Sequence, residues 1–140
     1  MAVGNTFETK KTSYKPAQRV WRSVRHVYPV GGKLDSATLT KWKDKTVIPA
    51  GTPCHYVGGT GEKTITAYTD AEITSSSTAF TGTINGFLKE DIPVPNGISS
   101  ATVATGTVAY AGELYGYMYD AAVLAKLKAL TTVPQIVFVD

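Results

Sequence analysis

Between Ala101 and Tyr115 the chain alternates, with Val108, Tyr110 and Leu114 on one face of a period-two pattern and Thr105, Thr107, Ala109 and Ala111 on the other. That period belongs to a half-buried strand rather than a helix. Gly106 and Gly112 sit where the backbone bends or approaches another segment closely. This stretch is expected to be the central strand of a small β domain. Upstream, Val47–Pro53 reads as an extended entry that ends in a tight turn at Gly51. Cys54 to Val57 and Thr64 to Tyr68 are two strands joined by the turn GGTGEK. The polar run from Thr69 to Thr81 predicts a surface loop anchored by Ile73 or Phe80. Ile84, Phe87 and Leu88 form a further apolar piece, followed by a charged patch at Lys89, Glu90 and Asp91, and Asn96-Gly97 marks another turn.

Helical spacing is clear at one place, where Val123, Leu124, Leu127 and Leu130 follow Asp120 as a cap and Lys126 and Lys128 fall near the favourable end of the dipole. The closing QIVFV predicts a strand inside the sheet. Around residues 34–45 two readings stand side by side. Asp35 or Ser36 can cap a short helix, while Thr38, Thr40 and Trp42 suit a strand.

The first 29 residues break the pattern. Arg19, Arg22 and Arg25 recur every third position among Tyr14, Trp21, Val24 and Tyr28, in a segment barely long enough for an isolated helix. Such a segment is expected to be irregular or extended until a partner orders it. Trp21 and Tyr28 packing on the body as a strap is the plainer alternative. Val30, Gly31 and Gly32 then make a joint.

Composition sharpens this division. The chain has 140 residues, enough for one domain, and is 43% hydrophobic. Its net charge of +3 is uneven: ten basic against three acidic side chains up to Lys45 leave +7, and four against eight beyond it leave −4. All three arginines lie before residue 26, and arginine suits bidentate pairing with carboxylate or phosphate. No apolar run approaches the roughly 20 residues of a membrane helix, and MAVGNTFETKK lacks the apolar core of a signal peptide, so neither is expected.

Catalytic chemistry finds few carriers. His26 sits among arginines and reads as a surface or contact residue rather than a general base, and Cys54, beside His55 on a strand whose neighbouring residues face opposite ways, reads as an ordinary half-buried cysteine. One cysteine and two distant histidines make no zinc site, and Glu90 and Asp91 are neighbours rather than a pair facing across a cleft. GGTG lacks the lysine and helix of a phosphate loop. No enzyme activity, metal or cofactor is expected. A basic, aromatic segment also fits nucleic acid, but the acidic remainder offers no continuing basic groove, so a protein partner ranks above it. A sugar-binding module would account for the tyrosines and the many threonines.

The order Ile48-Pro49-Ala50-Gly51-Thr52-Pro53, Asn85-Gly86-Phe87-Leu88, Asp91-Ile92-Pro93-Val94, Gly106 to Glu113 and Pro134-Gln135-Ile136 resembles the head fibre and capsid decoration proteins of tailed bacteriophages, over about Val47 to Asp140. The resemblance implies a non-enzymatic virion component on the outer surface of the head, assembled in the host cytoplasm, commonly as a homotrimer on the major capsid protein, with a second head fibre protein as a further partner. The expected architecture is mainly β, a small barrel or sandwich with one short C-terminal helix and an extended N-terminal arm. Residues 1–46 form the basic docking arm and 47–140 the body. In the arm, Lys10, Lys11, Tyr14, Arg19, Trp21, Arg22, Arg25 and Tyr28 are the candidate capsid-binding residues. Tyr115, Tyr117 and Tyr119 are the candidate subunit interface, or else close one end of the core.

Overall fold

The computed structural model describes residues 20–59, 61–95, 103–129 and 135–139. It is mainly β. The alternating stretch becomes two strands, β8 (Thr105–Gly106) and β9 (Val108–Tyr115), and the second is the hub of the sheet. One edge of β9 takes β1 (Trp21–Val27), antiparallel. β6 (Gly86–Leu88) pairs antiparallel with its first residues, and β10 (Ile136–Val139) pairs parallel with its last four. From β6 the sheet continues through β4 (Pro53–Val57) and β5 (Thr64–Ala67) to β2 (Gly32–Leu34), and from there to β8. Only Thr107 separates β8 from β9, so the path returns to the run of chain it started from. The result is a curled half-barrel sheet. A separate small ladder joins β3 (Val47–Ile48) to β7 (Ile92–Pro93).

Neighbouring residues on these strands feed opposite faces, as the pleat demands. Leu88 and Val108 join Leu34, Ile48, Tyr56 and Ile65 in one buried cluster. Phe87 and Ala109, one residue away, join Trp21, Leu114 and Ile136 in a second. Onto this second cluster packs α3 (Ala121–Ala129), through Val123 and Leu127. The C-terminal helix is therefore present as expected. Leu124 is only half-buried, and Leu130 lies outside the described residues.

Two shorter helices join it. The ambiguous stretch after Asp35 is α1 (Ser36–Lys41), because the Asp35 carboxylate accepts the Thr38 N–H at 2.7 Å and the Thr66 hydroxyl at 2.8 Å. Leu39 and Trp42 are thereby turned into the first cluster, and the Trp42 indole donates to the Ala67 carbonyl at 3.2 Å. Within the run expected to be a loop lies α2 (Asp70–Thr74), where Thr69 and Glu72 cap each other's backbone and Ile73 is the buried anchor. That reciprocal cap satisfies two otherwise orphaned amides.

Burial alone would raise the Asp35 pKa, but the hydrogen bonds from Thr38 and Thr66, with the charge of Lys41, hold it below the usual carboxylate value. A carboxylate lowered in the folded state contributes stability at full strength above its unfolded pKa, about 3.9, and loses it as pH falls through the folded value. In urea titrations from pH 7 to pH 2, Asp35→Asn should be less stable than wild type near neutrality. The gap should narrow as the pH falls below about 4. A constant gap across that range would show that the Asp35 charge contributes nothing.

Candidate functional site

Of the eight candidate docking residues, Lys10, Lys11, Tyr14 and Arg19 lie outside the described residues. The other four lie on or just beyond β1, which is a structural part of the body rather than an arm ahead of it. The boundary expected after residue 46 marks no structural division, because β1 pairs with β9, β2 pairs with β5 and β8, and α1 packs into the core. The reason lies in the register of β1. Its pairing shifts between Trp21 and Ser23, between Val24 and His26, and between His26 and Val27. Each irregularity displaces the pleat, so Trp21, Val24 and Val27 turn toward the sheet and the pairs between them turn out. A strand thus acquires a spacing of three.

Trp21, a candidate capsid-binding residue, fills a pocket in its own chain, as the strap alternative has it. It is 7% exposed, and its indole N–H donates to the Leu88 carbonyl at 2.8 Å. Tyr28 is also committed internally. Its ring stacks on Tyr56 with centroids 4.4 Å apart and tilts against Tyr110 at 4.8 Å, and its hydroxyl donates to the Asn85 carbonyl. Burial, then the neighbouring Tyr110 and Tyr56, push its phenol pKa up. His26 continues the stack on Tyr110, with centroids 5.8 Å apart.

Arg22 and Arg25, by contrast, are exposed. Arg22 reaches Glu113 at 3.7 Å, an exposed pair of the kind that contributes about 0–1 kcal/mol. β1 ends the sheet, and among the described residues no strand pairs with its outer edge. Among the described residues, two arginines on a terminal strand are therefore the part of the candidate set that faces outward.

The tyrosine cluster divides in the same way. Tyr119 leaves the proposed interface, since its hydroxyl donates to the Gly51 carbonyl at 2.6 Å and its ring meets Phe138 edge-on. Burial, then Cys54 and Asp70, drive its pKa upward. Tyr117 is 69% exposed and leans on the half-buried Tyr115, with centroids 5.4 Å apart.

Cys54, expected to be half-buried, is fully enclosed; burial pushes its thiol pKa far up, so no reactive thiolate is available. The Asp91 carboxylate accepts the Ala50 N–H at 2.7 Å, which ties the 89–91 turn to the segment after β3. Among the described residues no group of three or more His, Cys, Asp or Glu side chains converges as a metal site. No described helix is long and apolar enough to cross a membrane.

One groove was not foreseen. It encloses about 720 Å³ between Val20, the Pro49–Pro53 turn, the start of α2 and the Met118–Asp120 segment, with Trp42, Tyr68 and Tyr119 in its walls. Its parts come from five separate places in the chain, so no local motif announces it. No family model matches the chain, and neither a curated protein nor a solved structure matches it.

Proposed function

We propose that this chain is a non-enzymatic attachment module of a phage head, seated on the outer surface of the shell and gripping the major capsid protein through its basic edge. The observation that carries the reading is the outward pair Arg22 and Arg25 on the terminal strand β1. A partner strand can add to such an edge through backbone hydrogen bonds while the guanidinium groups select acidic neighbours. Lys10, Lys11 and Arg19, with Tyr14 among them, precede the edge in sequence and add to its positive charge. Tyr117, with Tyr115 behind it, is the tyrosine offered to a neighbouring subunit in a trimer.

The test is co-sedimentation with purified undecorated heads. Arg22→Glu/Arg25→Glu should reduce binding about tenfold or more, since two charge-assisted contacts become repulsive. Wild-type chain should not bind DNA or RNA at the same salt. Equal binding by the two proteins would remove the edge from the mechanism. Affinity for nucleic acid that falls steeply with salt would replace the reading altogether. A truncation for this purpose has to stop before Val20, because removing residues 1–45 also deletes β1, β2 and α1.

A further inference from the structure

The groove beside Val20 is mostly apolar, but its charged rim is lopsided. Asp70, Asp91 and Asp120 face one cation, Lys45. Asp91 already accepts a backbone amide, which leaves Asp70 and Asp120 as the carboxylates at the start of α2 and just before α3. They are near enough that, after burial, the charge of Asp120 is the next cause pushing the Asp70 carboxyl up, while Lys45 only partly opposes it. A second cation there would offset the repulsion felt at Asp70.

Val20 lies in the wall of this groove and is the first described residue. It is held there at both ends. Its carbonyl accepts the Tyr115 N–H at 2.8 Å, and its side chain closes over Gly51, where a Cβ would lie 2.9 Å from the valine methyl carbons. Nineteen residues precede it, carrying Lys10, Lys11, Lys15 and Arg19 against Glu8 alone, with Tyr14 and Pro16 among them. The chain therefore delivers a basic, partly aromatic segment to the edge of an apolar groove with an acidic rim. Tethering through a single peptide bond gives Arg19 an effective concentration that no free partner matches.

We propose that the groove is the docking site for the chain's own segment immediately before Val20, with Arg19 and Lys15 set against Asp70 and Asp120 and Tyr14 against the apolar wall. This contact belongs to the free subunit, and Arg19 and Tyr14 leave it when they join the edge of β1 in gripping a partner.

Limited trypsin digestion of the full chain reads it directly, since Lys10, Lys11 and Arg19 are cleavage points, whereas the Lys15–Pro16 bond resists trypsin. Cleavage after Arg19 should be about tenfold slower in wild type than in Asp70→Asn/Asp120→Asn, as cleavage follows the population of the open form. Asparagine keeps the shape and capping capacity of aspartate, and an unchanged melting temperature confirms an intact fold. A second measurement needs no substitution: added salt should speed cleavage of the wild-type chain and leave a free peptide of residues 8–20 unaffected. Equal rates in wild type and variant would overturn the proposal. Protection lost on dilution would overturn it too, by making a second copy the occupant.

Discussion

Trp21→Ala should lower the unfolding free energy by about 3–5 kcal/mol, the range for removing a large aromatic from a packed core. The indole is 7% exposed, packs in the cluster formed with Leu114 and Ile136, and donates to the Leu88 carbonyl. Alanine leaves a cavity against β9 and a buried carbonyl without its donor, and the two losses act at the same site. Urea denaturation monitored by circular dichroism gives the number. The experiment also separates two roles for the residue. A tryptophan held ready for a partner would lose binding and keep its stability, whereas this one should lose stability first. Replacing the exposed Arg22 by alanine is the matched control, expected within about 0.5 kcal/mol of wild type.

Gly112→Ala should be nearly as damaging, by about 1–3 kcal/mol from overpacking, with a further contribution from the backbone. Gly112 has φ +154°, and a Cβ there would lie 2.5 Å from the Ser23 carbonyl oxygen and 3.1 Å from the Trp21 ring. The first of these neighbours is main chain, which cannot turn aside as a side chain can. Relief requires β1 to move off β9. Hydrogen exchange should therefore show the β1 amides losing protection before those of β4 and β5. Uniform loss across the sheet would mean that the clash is absorbed elsewhere.

Much of the body was legible because its residues obey simple periods. The alternation of Val108, Tyr110 and Leu114 located β9 but not its faces, since Val108 lies in the first buried cluster and Leu114, with Ala109, in the second; the GGTGEK turn between two strands, the spacing of Val123 and Leu127 and the closing QIVFV each match an element. The period-two rule did not carry through β9. It failed at β1, whose register breaks give Trp21, Val24 and Val27 a spacing of three and let Arg22 and Arg25 pass for the signature of a free arm. α2 carried its signal openly, as Thr69 three residues before Glu72, but with five residues and Ile73 as its buried contact it shows no periodicity to support the cap. Asp35 could not decide between helix and strand from sequence, because its second partner, Thr66, is 31 residues away. The candidate site was less legible than the fold. Exposure separates Arg22 from Trp21 and Tyr117 from Tyr119, and neighbouring residues of similar chemistry carry no mark of which will be turned inward.

The last residue of β9 has one further consequence. Tyr115 takes the carbonyl of Val20 with its amide and is also the register partner of Val139, so the start of β1 and the end of β10 converge on the backbone of one residue. Anything fused before Val20 or after Val139 would therefore emerge from the same end of the half-barrel. An anchor at one end and a cargo at the other would have to share that exit, and a circular permutant joining the two ends would need only a short linker.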